Sequence, residues 1–212
     1  MSNSNAPFGF SPSGTSSGMP NYRISTKRIA STNTGAIYKG DPVSWVSNTP
    51  TGYIKQATAA EFATNTYNNS LAGIFWGCTY LSTSRKQEVW SPYWPGADAT
   101  GDVIAYVIDD PHARFTVMGN STDFNITGTI ATYTTSPIGR LCTFVVGSGS
   151  TTTGLSGAYA ATPGATGPFM VVDLVTSPPG ANGADPTTAY NWIVVGFSTE
   201  WLRLNGASTG VS

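Results

Sequence analysis

Few residues in this chain have the types and spacings that chemistry requires. His112 is the only histidine, so a Ser-His-Asp relay or a histidine-ligated metal would have to run through that one side chain. A single imidazole cannot supply a cluster. Gly14-Thr15-Ser16-Ser17-Gly18 matches the pattern in which a serine nucleophile sits on a sharp strand-to-helix turn. It lies in a low-complexity segment with no strand pattern before it and no helix pattern after it, so the match reads as chance. Asp109 and Asp110 form the best acid/base or cation-binding pair on offer. Adjacent residues of a strand point to opposite faces, so these carboxylates converge only if a turn twists them together, and turn capping is the expected role. The stretch Glu88 to Pro95 gathers Trp90, Tyr93 and Trp94 in a loop broken by Pro92 and Pro95. Large flat apolar area with a polar edge suits a sugar-stacking platform or a protein-contact patch, and equally a loop folded back over the core.

The elements that must position these residues read as strands. Val103 to Ile108 is apolar on both alternating faces, which predicts a strand covered on both sides. Ala113, Phe115 and Val117 alternate with Arg114 and Thr116, as in a strand with one solvent face. Asp109-Asp110-Pro111 between them is a turn signal, so the stretch Asp102 to Met118 is expected to be a hairpin at the centre of the molecule. Further strands are expected at Tyr22 to Ile29, Ala36 to Lys39, Val43 to Ser47, Tyr53 to Gln56, Leu71 to Leu81, Leu141 to Val146, Phe169 to Val175 and Trp192 to Leu204, with Gly-, Pro- and Asn-rich turns between several of them. Strand Leu71 to Leu81 should carry Gly73, Phe75 and Gly77 on one face, leaving gaps where a backbone or a large ring can approach. Thr58-Ala59-Ala60-Glu61 is a capping box, predicting a short helix over Ala59 to Thr66.

Composition bounds the function. At 212 residues, 40% hydrophobic and 12% aromatic, the chain can bury a full core as one domain. Only 10% of residues are charged, and Ser with Thr make up roughly a quarter, which predicts a mostly neutral polar surface. A formal net charge of −1 with scattered basic residues offers no cationic stripe, so nucleic acid is not an expected partner. The opening MSNSNAPFGF has no basic and apolar leader pattern, and no stretch approaches a membrane span. The reading is synthesis and folding in the cytosol. On that reading Cys78 and Cys142, each within an apolar strand-like run, are reduced core residues, and the sequons at Asn68, Asn120 and Asn125 carry no glycan.

Residues 1–20 read as an extended arm, too rich in Ser, Asn, Gly and Pro to fold alone. Phe8, Phe10 and Met19 within it are candidate anchors for a partner. Twenty extended residues span roughly 70 Å, against a radius of gyration near roughly 16 Å for the remainder. Ordering the whole arm costs on the order of 20–40 kcal/mol of backbone entropy, whereas three buried anchors return about 5–9. Such an arm must therefore add main-chain hydrogen bonds along a sheet edge or order only its anchors.

Several stretches occur in a suggestive order: Asn5-Ala6-Pro7-Phe8-Gly9-Phe10, Ile29-Ala30-Ser31, and Ile37-Tyr38-Lys39-Gly40-Asp41-Pro42-Val43. They are followed by Gly73-Ile74-Phe75-Trp76-Gly77-Cys78-Thr79-Tyr80, Tyr93-Trp94-Pro95-Gly96, Ala105-Tyr106-Val107-Ile108-Asp109-Asp110-Pro111 with Phe115, and Gly154-Leu155-Ser156-Gly157. In this ordered set the chain resembles the decoration, or cement, proteins that stabilise the heads of tailed bacteriophages. The resemblance implies a β-rich subunit on the outer face of an icosahedral capsid, commonly a trimer, that bridges neighbouring major capsid subunits and has no catalytic residues. Ser11 to Asn21 departs from it, being richer in Ser and Gly than such an opening suggests.

The expectation is an all-β chain: a single β-barrel or β-sandwich domain over 21–212, an extended arm over 1–20, and at most one or two short helices. Its expected role is that of a non-enzymatic virion protein on the outer capsid face. Its partners would be the major capsid protein and itself, as a homotrimer, with no nucleic acid, membrane, cofactor or metal. Expected contact residues are Phe8, Phe10, Met19, Trp90, Tyr93 and Trp94, while Asp109 and Asp110 are the weak candidates for a cation. The alternative is a carbohydrate-binding or host-adhesion head-fibre module using the Trp90, Tyr93 and Trp94 cluster. A hydrolase using Asp109 and Asp110 stands third.

Overall fold

The computed structural model describes residues 2–16, 18–19, 21–46, 52–62, 71–126 and 136–198. Its strands are β1 (Ser11–Thr15), β2 (Ile24–Ile29), β3 (Ile37–Tyr38), β4 (Pro42–Trp45), β5 (Ile54–Gln56), β6 (Leu71–Leu81) and β7 (Glu88–Ser91). They continue with β8 (Tyr93–Trp94), β9 (Val103–Ile108), β10 (Ala113–Met118), β11 (Leu141–Val145), β12 (Tyr159–Gly164), β13 (Phe169–Leu174) and β14 (Trp192–Phe197). The described helix is a single 3₁₀ turn, Ala59–Phe62, where Glu61 Oε2 accepts from the Thr58 N–H (3.3 Å) as the capping box requires. The remainder of the expected helix and the end of the strand expected to reach Leu204 lie outside the described residues.

The chain is nearly all-β, and its described strands fall into two large antiparallel sheets and one small one. The first sheet runs β1-β10-β14-β13-β11-β12 and curls until β12 meets the end of β10, through a parallel bridge between Gly119 and Ala160 and the Asn120 N–H on the Ala160 carbonyl (2.9 Å). The second runs β2-β9-β6-β4-β5, with β7 also on β6, and curls until Tyr53 bridges Arg28 of β2. Strands β3 and β8 form a ribbon beside it. Curling hides most sheet edges and gives two core clusters, the first of which also takes Leu71 and Ile74 of β6 and Ile108 of β9. Phe10, Phe115, Phe144, Phe169 and Phe197 fill the first, and Ile29, Val43, Ile54, Phe75, Trp94, Val103 and Val107 fill the second. In sequence the second sheet is inserted between β1 and β10 of the first.

A buried seam joins the two. The Phe10 N–H donates to the Gly40 carbonyl (2.9 Å), the Gly9 N–H to Ala158 (3.1 Å) and the Ser156 N–H to Lys39 (2.9 Å). Gly9 has φ 78°, and a Cβ there would run into the Ser156 side chain, so the close crossing requires glycine. At its centre Asp41, fully buried, accepts from Ser156 Oγ (2.5 Å), the Tyr38 N–H (2.8 Å) and Gln56 Nε2 (2.7 Å). Burial drives its carboxyl pKa above the ordinary value, outweighing those three hydrogen bonds.

Several expectations are corrected here. Strands β9 and β10 do not form a hairpin: β9 lies between β2 and β6, and β10 between β1 and β14. Their apolar faces fill different interiors, so the turn between them is a crossover from one sheet to the other. Nor is β9 covered on both sides, because Ile104 is 47% exposed and Tyr106 half-buried. Gly73, Phe75 and Gly77 do not share a face either. A bulge between Phe75 and Gly77 sends Phe75 inward and sets Gly77 opposite outward-facing Tyr106. Strands β1 and β12 were not expected from the sequence; their Gly, Pro and Ser content hides them.

Candidate functional site

The residues considered for catalysis come close without making a site. Ser16 Oγ lies 3.4 Å from His112 Nδ1 on an exposed surface, and the Ser16 N–H donates to the His112 carbonyl (3.0 Å). Among the described residues no carboxylate reaches the His112 ring to orient it; Asp110 accepts instead from the His112 backbone N–H (2.9 Å) and the Arg23 N–H (3.1 Å). Asp109 points away from it and is occupied. Arg23 Nε (2.9 Å) bonds one oxygen, while Ser25 Oγ (2.5 Å) and Lys27 Nζ (3.1 Å) bond the other. Burial pushes its carboxyl pKa up, but the bonds from Ser25, Arg23 and Lys27 win and hold it below the ordinary value. The weak cation candidate is thus corrected: two basic side chains already neutralise Asp109, and Asp110 caps a turn. Cys78 and Cys142 are buried thiols pushed up to about 12 by desolvation, which leaves them protonated and unreactive.

The expected arm anchors belong to this chain's own body. Phe10 is 0% exposed, stacked on Phe169 with centroids 4.4 Å apart. Phe8 is half-buried and meets the Trp192 ring edge-on at 4.9 Å. Strand β1 pairs with β10 from Ser11 opposite Thr116 to Thr15 opposite Ala113. Asn3 extends the attachment, taking the Gly183 N–H on Oδ1 (2.9 Å) and giving Nδ2 to the Asp185 carbonyl (3.0 Å). The segment therefore does add main-chain hydrogen bonds along a sheet edge, but the edge is its own. Met19 alone among the three is exposed, at 63%.

The aromatic cluster is likewise divided. Trp94 is fully buried in the second interior, with Nε1 donating to the Asn33 carbonyl (3.2 Å). Tyr93 stacks on Tyr38 with centroids 5.4 Å apart and planes at 9°. Trp90 is the exposed member, at 60%. Pro92 separates strands β7 and β8 and turns their side chains to different surroundings.

Trp90 stands instead in a surface that no motif marked. Cross-strand register sets Trp90 opposite Thr79, Thr79 opposite Ile104, and Ile104 opposite Arg28, so one row crosses β7, β6, β9 and β2 on the outer face of the second sheet. Tyr106 and Gly77 are opposite each other next to it, and the Trp90 ring lies over Gly77, where a Cβ would sit 3.2 Å from the ring. Thr79 and Tyr106 hydroxyls are 3.2 Å apart. Leu81 and Ile24 extend the face and are exposed. The result is an outer face whose apolar groups, Leu81, Trp90, Ile104 and Ile24, are bordered by Arg28 and Glu88, with the tryptophan ring against a glycine, a surface suited to adhesion. Of its members Trp90 alone stood out in the sequence, while the apolar character of Ile104 made β9 look buried on both sides.

An open groove of about 650 Å³ separates the curled sheets, between Tyr38, Gln56 and Thr58 on one side and Val145 to Gly149 on the other. Its polar groups are largely engaged: Gln56 Nε2 serves Asp41, and the Tyr38 ring packs against Gly149 and Tyr93. No family model, curated protein or solved structure matches this chain.

Proposed function

We propose that this protein is an adhesive structural component of a virion, a decoration protein that lies on the outer face of a phage capsid and bridges neighbouring major capsid subunits. The observation that carries the reading is the outer face of the second sheet, where Trp90, Ile104, Leu81 and Ile24 are exposed together. Such a patch on a chain so poor in charge favours protein contact. The ordered resemblance to head-stabilising proteins supports the capsid as the partner. The proposal assigns the chain no reaction, and it moves the docking surface from the N-terminal segment to the sheet. Self-association as a homotrimer would multiply modest contacts, because linked sites make loss of all of them rare. The test is binding of purified protein to heads that lack it. Trp90→Ala with Ile104→Ser should weaken binding by about 30-fold or more, the scale of a buried aromatic hot spot, while circular dichroism stays unchanged.

A second reading rests on the same tryptophan. With its ring against Gly77 and the Thr79 and Tyr106 hydroxyls beside it, the exposed Trp90 would stack on a sugar ring in a host-adhesion module. A glycan array separates the two: sugar binding lost in Trp90→Ala, together with unaltered head occupancy, would favour adhesion.

A further inference from the structure

The loop that follows β10 and the residue before β14 hold three buried amide oxygens with no donor among the described residues. Oδ1 of Asn120, of Asn125 and of Asn191 is shielded from solvent and has no hydrogen-bond donor among the described residues. Turning the amides round does not cure this, because each NH2 group is already held by an acceptor. Asn120 Nδ2 donates to Asp123 Oδ2 (2.9 Å), Asn125 Nδ2 to the Thr187 carbonyl (3.4 Å) and Asn191 Nδ2 to the Phe124 carbonyl (2.8 Å). A flip would set oxygen against oxygen. Buried oxygens without partners are rare, and three around one loop call for a common cause.

The three belong to one small piece of the fold. The Gly119 N–H donates to the Asn191 carbonyl (2.9 Å), the Tyr190 N–H to Ser121 (2.8 Å) and the Ile126 N–H to Pro186 (2.9 Å), so residues 119–126 wrap over residues 186–191. Asn191 is fully buried beneath that loop. The loop's own carboxylate, Asp123, takes bonds on Oδ2 from Asn120 and from Thr162 Oγ1 (2.9 Å each), while its Oδ1 accepts none among the described residues. Trp192 Nε1 is also unpartnered, but it is a donor. Consecutive residues of extended chain face opposite ways, and Trp192 packs on the far side against Phe8.

We propose that this loop, with Asn191 behind it, binds a hard cation of Ca²⁺ size through the amide oxygens of Asn120, Asn125 and Asn191, with Asp123 Oδ1 as the anionic ligand and water completing the shell. The donor set decides the class. It is all oxygen, with no imidazole or thiolate to select a transition metal. Ca²⁺ accepts six to eight oxygens in a flexible shell, amide carbonyls included, whereas Mg²⁺ demands a near-ideal octahedron. One carboxylate among neutral ligands places affinity in the weak range of about 10⁻⁴–10⁻³ M. The bound ion would staple the loop after β10 to the one before β14. This departs from the expectation of no metal, and it stands whether or not the protein decorates a capsid.

The test uses the full chain stripped with chelator. Tb³⁺ replaces Ca²⁺ in oxygen sites and emits when a nearby tryptophan is excited, and Trp192, adjacent to Asn191, is the antenna. The expected result is sensitised emission displaced by Ca²⁺ much more readily than by Mg²⁺, with a Tm raised by roughly 3–6 °C in about 10 mM Ca²⁺. Asp123→Ala, at an exposed position, should keep the fold and lose both signals. Absence of emission together with a Tm indifferent to Ca²⁺ in the unmodified protein would overturn the proposal and leave buried water as the partner of the three oxygens. Emission that survives in both Asp123→Ala and Asn120→Ala would overturn it as well, by placing Tb³⁺ elsewhere.

Discussion

Asp41 is the residue on which the seam between the two curled sheets depends chemically, because one buried carboxylate gathers donors from Tyr38, Gln56 and Ser156. Removing it strands those donors, so Asp41→Ala should cost about 1–3 kcal/mol in denaturant titration. Asp41→Asn keeps an acceptor for Tyr38 and Gln56 and turns an amide toward Ser156 Oγ, so it should cost less. The pH dependence separates charge from hydrogen bonding. Burial raises the folded-state pKa of Asp41 above its unfolded value, so the penalty for ionising it is absent below the unfolded value and complete above the folded one. The stability of Asp41→Asn relative to the parent should therefore rise with pH across that window; a flat difference would remove the charge penalty. Asp98 has the opposite sign. Hydrogen bonds from Ser82, Thr83 and the Ser84 N–H lower it to about 2, so the link it makes between the turn after β6 and the segment after β8 should persist well below pH 4 and fade only as the pH nears that value. Titration of its carboxyl by NMR reads this directly.

At the scale of elements, β1 and β9 show what the sequence exposes and what it conceals. The apolar rhythm of β9, β10, β13 and β14 marked them as strands, and Leu71–Leu81 was legible over its whole length. Pairing was not legible. The turn Asp109 to His112 is short enough for a hairpin, and only the competing claims of β2, β6, β1 and β14 for the same edges send β9 and β10 apart. Strand β1, with Ser, Pro and Gly in five residues, has no strand rhythm. It forms because Phe10 beside it is buried in the first interior and because β10 offers an edge. Emptying the Phe10 site by Phe10→Ala should cost about 3–5 kcal/mol, whereas Met19→Ala, exposed in the following turn, should change stability by no more than about 0.5. Deleting residues 1–15 should lower Tm and increase binding of a hydrophobic dye. A truncated protein as stable as the full chain would restore the reading of an independent arm. Of the site, Trp90 was legible as an aromatic in a broken loop. Its companions Ile104, Ile24 and Leu81 were not, because an exposed isoleucine in a strand looks like a buried one until the register is known.

For the molecule as a whole, two curled sheets meet across a buried boundary to which Ile74 and Ile108 of the second contribute, and among the described residues the broad exposed apolar face is on the second. The second sheet presents that face, while the first is joined to it through the seam at Asp41 and through the β9–β10 crossover held by Arg23, Ser25 and Lys27 on Asp109. Side chains presented from paired strands favour adhesion because little backbone freedom is lost on docking. On the proposed function, this outer face is what the protein binds with. The most direct measurement is occupancy on heads lacking the protein, seen by cryo-electron microscopy, for the parent chain and for the Trp90→Ala, Ile104→Ser double variant. The expected result is density over the shell with β2, β6, β7 and β9 against the capsid, and loss of that density in the double variant at concentrations where the parent saturates. Equal occupancy by both chains, or a parent bound with this face turned to solvent, would contradict the account.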